Sequence, residues 1–224
     1  MDPELKTLLQ LWGQTKARRI AIMGGTFDPI HYGHLVAAEA ARVEFNLDKV
    51  VFVPNRLPPH KKNYRVTAAI HRYQMTVLAT ITNPFFYVSQ IELERPGPSY
   101  TVDTLRTLRK ELGAEIELFF ISGADAILDI LTWKDVEEVL EICSFIAATR
   151  PGYPLEELSK RLGHLQAKFS HKVSCVEVPA LAISSSSVRE RVTQNRPIKY
   201  LLPESVEYYI YKYKLYQGSG EETQ

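Results

Sequence analysis

Six short apolar runs, each rich in β-branched or aromatic residues, recur along this chain with helical patterns between most of them. No other feature narrows the fold as far. The runs are RIAIM at 19–23, KVVFVP at 49–54, FFYVSQIEL at 85–93, EIELFFIS at 115–122, SFIAATR at 144–150 and KVSCVEVP at 172–179. A stretch as apolar as VVFV or LFFI has no polar face to turn to water, so it predicts a strand covered on both sides. The segments between have helical spacing: HLVAAEAARVEF, with Leu35, Ala38, Ala41 and Phe45 near one face, then RVTAAIHRYQMTVLAT, SYTVDTLRTLRKEL and PLEELSKRLGHLQAKF. Strands alternating with helices predict βαβ units and an α/β fold with a mostly parallel sheet. Such sheets bind ligands at the carboxyl ends of their strands, near the point where the strand order reverses.

At 224 residues, 45% of them hydrophobic and 24% charged, the chain has material for one substantial domain. A formal net charge of +1 provides no global field to draw it to nucleic acid or an acidic membrane, so any anion site must be built locally. The amphipathic start, MDPELKTLLQLWGQTKARR, lacks the apolar core of a signal peptide, and no run approaches the ~20 residues of a membrane helix. A cytoplasmic protein is expected. Residues 1–16 read as a helical N-terminal extension, 17–216 as a single domain, and 217–224 as a disordered tail. SVEYYIYKYKLY at 205–216 predicts a terminal helix whose aromatic stripe packs inward. Cys143 and Cys175 lie in apolar runs without metal-type spacing, which predicts two buried thiols in a reducing compartment.

The first run leads into MGGTFDPIHYGHL, Met23 to Leu35. Gly24 and Gly25, read as the loop at the strand's end, let backbone amides approach a ligand without Cβ clashes. The helix that follows presents unpaired N–H groups and a positive dipole end, which suits phosphate. The spacing is neither GxxxxGK[ST] nor GxGxxG, so neither a P-loop kinase nor a dehydrogenase follows. His31 and His34, three apart, are expected to project from one face of the first helical turn, with Gly33 leaving room for a ligand. Either histidine alone would read as a polar residue or a helix cap. Together they suit holding a polyphosphate while a phosphoryl-type group moves. No third ligand has convincing spacing, so no metal held by protein side chains is expected.

Other stretches follow strand ends. ISSSSVRERV at 183–192 opens a helix after the last run. Its serines can cap the helix and donate to phosphate, and Arg189 falls on the face of Ser186, although a plain cap with a solvated basic helix fits the same residues. PNRLPPHKKNYR at 54–65 is a proline-stiffened loop carrying Arg56, His60, Lys61 and Lys62. RPGPSYTVDTL at 95–105 turns into a helix that Ser99 or Thr101 could cap. In ISGADAILDILTWKD at 121–135, the strand-end Gly123-x-Asp125 is a natural acceptor for ribose hydroxyls.

GGTFDPIHYGHL resembles the signature of the HxGH nucleotidyltransferases, and the longer string resembles their branch that adenylylates nicotinic acid mononucleotide. The resemblance runs in motif order from about Arg19 to Tyr216. It implies a Rossmann-like, doubly wound fold of nucleotidyltransferase type with C-terminal helices completing the site. The implied reaction takes ATP and the mononucleotide to deamido-NAD and pyrophosphate. His31, His34, Lys61 and Arg189 would act on the phosphates, with Mg²⁺ held mainly by ATP. The implied ATP set adds Gly24, Gly25, Thr26, Phe27, Gly123, Asp125, Ile183, Ser184, Ser185 and Ser186, the last standing where the family usually has threonine. Thr26, Tyr100, Thr101 and Trp133 would receive the acceptor, Trp133 stacking on its pyridine ring. Another acceptor, such as nicotinamide mononucleotide or phosphopantetheine, and a non-catalytic nucleotide-binding regulator are the alternatives. A homo-oligomer stays open.

Overall fold

Each of the six apolar runs forms a strand in a computed structural model that describes residues 18–57, 66–123, 127, 130–152 and 172–217. The strands are β1 (Arg19–Gly25), β2 (Lys49–Pro54), β3 (Phe86–Val88), β4 (Glu117–Gly123), β5 (Ser144–Thr149) and β6 (Val173–Glu177). They make one sheet in the order β3-β2-β1-β4-β5-β6, and all five pairings are parallel. The helices are α1 (Tyr32–Glu44), α2 (Ala69–Thr80), α3 (Ile91–Glu94), α4 (Thr101–Leu112), α5 (Val136–Ile142), α6 (Ser185–Thr193) and α7 (Glu204–Lys212), with a 3₁₀ turn at Ile130–Thr132. The helices expected over 1–16 and PLEELSKRLGHLQAKF, and the tail from 218 onward, lie outside the described residues.

The alternation of β1 side chains makes the fold doubly wound. Ile20 and Ile22 enter one buried cluster with Val51, Val53, Leu105, Leu108 and Val139. Ala21 and Met23 enter a second with Ala38, Met75, Val188 and Val206. Helices α4 and α5 therefore cover one face, and α1, α2, α6 and α7 the other. Each fully buried Ile or Val contributes about 1.5–3 kcal/mol relative to exposure.

The strand order reverses between β1 and β4, and the sheet opens there. Pairing of β1 with β4 ends at Ile22 and Phe120, whereas β1 stays paired with β2 to Gly25 and β4 with β5 to Gly123. A crevice at the carboxyl edge follows, where open α/β sheets take ligands. Gly24 and Gly25 are thus strand residues rather than loop. Their missing side chains leave space for protein: a Cβ at Gly24 would lie 3.1 Å from Phe120 Cζ, and one at Gly25 2.8 Å from the Phe27 ring.

Other expectations are corrected. The run at 85–93 is a strand only over Phe86–Val88. The Ser89 N–H donates to Phe52 O (2.9 Å), after which Ser89 Oγ accepts from the Ile91 N–H (3.2 Å) and begins the turn of α3. The terminal helix stops at Lys212, followed by positive φ at Lys214 and Tyr216. Of its tyrosines, Tyr209 and Tyr216 pack on the core while Tyr208, Tyr211 and Tyr213 are exposed. Cys143 is buried, and burial pushes its thiol up to about 12. Cys175 is exposed: it lies on edge strand β6, where Val176 alone is buried.

Candidate active site

β1 delivers the chain to the crevice. Phe27 then turns it with φ 48°, a left-handed backbone that costs a non-glycine residue about 1–2 kcal/mol. Packing imposes that conformation. The Phe27 ring is buried against Phe52 (centroids 5.8 Å) and stands edge-on to His34 (5.1 Å, 84°).

His31 is not in the first helical turn, as its spacing suggested. It is the extended N-cap of α1 (φ −150°, ψ 171°), and His34 is the third helical residue. The N-cap position still brings the two imidazoles together, stacked with centroids 3.9 Å apart at 30°. The His31 backbone N–H donates to His34 Nδ1 (3.2 Å). With Nδ1 an acceptor, neutral His34 carries its proton on Nε2, so that nitrogen donates. Gly33 makes the stack feasible: a Cβ there would lie 3.0 Å from His31 Cε1 and Nδ1, so the room it leaves is filled by the His31 ring. His31 Nδ1 is buried with no hydrogen-bond partner among the described residues. Burial lowers the His31 pKa to about 4, so at neutral pH this imidazole is an uncharged hydrogen-bonding group.

That shift has a consequence for stability. Unfolded His31 takes up a proton near the ordinary 6.5, folded His31 only near 4. Between those values the unfolded state binds more protons, so falling pH removes stability. At 1.36 kcal/mol per unit, His31 should account for about 2–3 kcal/mol of the stability lost between pH 7 and 4.5. Chemical denaturation of wild type and His31→Gln at both pH values measures this. The variant should lose correspondingly less on acidification, and equal losses would refute the assignment.

The second motif docks onto the first. Ser184 caps α6, accepting from the Ser187 N–H (3.1 Å). Ser185 Oγ donates to Pro29 O (2.8 Å), and Arg189 Nη1 donates to Asp28 O (2.6 Å) across 161 residues of chain. Arg189 Nη2 also donates to Ser186 Oγ (3.3 Å). Ile183 O would lie 3.7 Å from a Cβ on Gly33. Ile183, Ser184, Ser185, Ser186 and Arg189 therefore stand around the His31–His34 turn. Two helix N-termini, an arginine and an imidazole donor together suit a polyphosphate.

Of the expected acceptor residues, Tyr100 and Trp133 pack against the opposite face, while Thr26 stays at the exit of β1. Tyr100, not Ser99 or Thr101, is the N-cap of α4 and makes no side-chain cap bond. Ser99 is used elsewhere, its Oγ accepting from the Arg56 N–H (3.0 Å) and its N–H donating to Leu57 O (3.1 Å). Thr101 is the first residue of α4. Trp133 is half-buried and packs edge-on against Phe120 (5.6 Å) and Phe145 (5.8 Å). Phe120 is also the ring beside Gly24, so Trp133 reaches the crevice wall through it. Gly123 ends β4, and no atom of the described residues lies within 4 Å of where a Cβ on it would stand. Asp125, His60 and Lys61 lie outside the described residues.

Three residues with no assigned part hold this framework. The buried Asp28 carboxylate accepts from Tyr216 Oη–H (2.8 Å) and the Thr67 N–H (3.2 Å). Burial, reinforced by the Asp28 charge, pushes the Tyr216 hydroxyl far above its ordinary range, so it stays a donor. Arg72 is buried among loop carbonyls. Only its place in the apolar stripe of α2, beside Tyr73, Met75, Thr76 and Ala79, signals it in the sequence.

The cytidylyltransferase-like family matches residues 22–191. A protein of Moorella thermoacetica named "Probable nicotinate-nucleotide adenylyltransferase" is 60% identical over 203 residues, covering 91% of this chain and 94% of its own. A Thermoanaerobacter protein of the same name is 57% identical, covering 91% and 96%. Among solved structures, nicotinic acid mononucleotide adenylyltransferase of Plasmodium falciparum, complexed with NaAD, superposes with a TM-score of 0.69 at 26% identity, covering 89% of this chain and 97% of that one. A second structure of that enzyme, complexed with APC, matches equally.

Proposed function

This chain belongs to the nicotinate-nucleotide adenylyltransferases of the cytidylyltransferase-like family, and from that premise we propose that it transfers the adenylyl group of ATP to nicotinic acid mononucleotide. The 5′-phosphate oxygen of the mononucleotide attacks the α-phosphorus of ATP in line. A new P–O bond forms, the bond from the α-phosphorus to the bridging oxygen breaks, and pyrophosphate leaves with the electron pair. Deamido-NAD is the other product, and no covalent enzyme intermediate is needed. The observation that carries the reading is the docking of α6 onto the His31–His34 turn at the β1/β4 crevice, through the Asp28 and Pro29 carbonyls.

Each residue then has a task. His34 Nε2–H and the start of α1 meet the charge that develops at the α-phosphate. Arg189, with the first amides of α6 and the Ser186 hydroxyl, holds the β- and γ-phosphates, and Lys61 adds a cation. His31 lends a hydrogen bond rather than a charge. Gly24, Gly25, Thr26 and Phe27 wall the nucleotide at the end of β1, Gly123 and Asp125 take the ribose, and Tyr100, Thr101 and Trp133 take the nicotinate. ATP enters as its magnesium complex, the ion riding on phosphates and water. Among the described residues no three His, Cys, Asp or Glu side chains cluster, and the Asp28 carboxylate is engaged by Tyr216 and Thr67. We read 17–216 as one catalytic domain acting in the cytoplasm. No described helix is long and apolar enough to cross a membrane.

Acceptor choice tests the reading. A site built for a carboxylate leaves its donors without a charged partner when the neutral amide binds. The specificity constant for the acid should exceed that for nicotinamide mononucleotide at least about tenfold, or 1.4 kcal/mol. Trp133→Ala should weaken both acceptors, because stacking is blind to the carboxylate, while changes at Tyr100 should erode the ratio. A wild-type ratio near one would refute carboxylate selection, and unaltered constants in Trp133→Ala would return that ring to a packing role.

A further inference from the structure

Arg72 has the largest fully buried side chain in the described structure, and among the described residues its guanidinium meets four acceptors on three separate stretches of chain. Nε donates to Thr67 O (2.8 Å), Nη1 to Thr26 O (2.7 Å) and Asn55 Oδ1 (3.3 Å), and Nη2 to Arg56 O (3.1 Å). Thr26 leaves β1, Asn55 and Arg56 leave β2, and Thr67 leads into α2. Asn55 completes the junction: its Nδ2 donates to Thr26 Oγ1 (3.3 Å) and its N–H to Gly25 O (2.9 Å). From there the connection continues to the acceptor side, since the Arg56 N–H reaches Ser99 Oγ and Arg56 Nη1 reaches Arg95 O (3.2 Å).

A buried charge is a poor choice for stability alone, because apolar residues of similar volume fill such space as well or better. What an apolar residue cannot do is hold three backbone carbonyls in one plane, and a lysine, as a point charge, cannot reproduce the fork. We propose that Arg72 is a positioning residue that sets the exits of β1 and β2 against each other, and so aligns the nucleotide half of the site with the acceptor half. The proposal rests on the two-substrate reading above. It gives Arg72 no contact with either substrate. Its removal should therefore act on alignment in the transition state, where displacements of about 1 Å cost up to about 10²-fold in rate.

The experiment compares wild type, Arg72→Lys and Asn55→Ala. It measures kcat and KM for ATP and for nicotinic acid mononucleotide, thermal unfolding, and amide hydrogen exchange over Thr26–Asp28. Arg72→Lys should lose about 10–100-fold in kcat, well below its unfolding temperature, with each KM within about threefold, and exchange at Thr26–Asp28 should speed up. Asn55→Ala keeps the buried charge but breaks its link to the Thr26 hydroxyl, and should lose about tenfold in kcat. A folded Arg72→Lys with wild-type kcat and exchange overturns the proposal. If Arg72→Lys does not fold, wild-type kcat in Asn55→Ala overturns it. Failure of the functional reading is separate: wild type itself would make no dinucleotide, while the exchange comparison, which needs no turnover, would still report on the junction.

Discussion

Replacing His34 by alanine should lower turnover by about two to three orders of magnitude, the usual effect of deleting one preorganised donor from a developing oxyanion. The geometry narrows the cause. His34 Nδ1 is occupied by the His31 N–H, so the group that can act on substrate is Nε2–H. His31 cannot substitute as a charge, because burial keeps it neutral. The KM values should change less than kcat, since the interaction grows as charge moves to the transferring phosphate. His34→Asn separates the two tasks of the ring: its amide oxygen can accept from the His31 N–H while the Nε2 donor is lost. Both variants should be slow, and the asparagine variant should unfold closer to wild type. Near-normal turnover in a His34→Ala protein with native circular dichroism would remove His34 from the chemistry.

Arg189→Ala should weaken ATP about 10–100-fold in kcat/KM, and the mononucleotide much less. A hydrogen bond to a charged group is worth about 1.5–3 kcal/mol, and only ATP carries the leaving pyrophosphate that this guanidinium is proposed to meet. Part of the loss should come from the free protein, where Arg189 holds the Asp28 carbonyl at 2.6 Å and so helps to fix the turn before His31. Arg189→Lys keeps the charge without the fork and should fall between the two. Calorimetric titration with ATP, set beside turnover, decides. Unchanged affinity together with unchanged rate would leave α6 as an ordinary capped helix.

What could be read in advance depended on how local its cause was. RIAIM, KVVFVP and ELFFI announce buried parallel strands because burial on both faces writes itself into composition. That β1 runs on through Gly24 and Gly25 was hidden, because the reason is tertiary: rings from Phe120 and Phe27 fill the space a side chain would need. The exposure of Cys175 follows from the edge position of β6, which strand order sets and local pattern does not. The histidine pair was legible as a pair, whereas its stack required His31 to be an extended cap. Asp28 and Tyr216 escaped notice because their hydrogen bond spans 188 residues, and Arg72 because three of its acceptors are backbone carbonyls, which no side-chain pattern announces. The serines likewise predicted a helix cap, which falls at Ser184, but not that Ser185 would be tied to Pro29.

Transfer of label from ATP carrying a radioactive α-phosphorus, incubated with magnesium, nicotinic acid mononucleotide and the purified protein, bears most directly on the proposed reaction. The label should appear in nicotinate adenine dinucleotide, with one pyrophosphate released per dinucleotide, and should not form when the mononucleotide is omitted. Folded protein that yields no labelled dinucleotide, or that releases the label as free AMP whether or not the mononucleotide is present, would contradict adenylyl transfer to this acceptor.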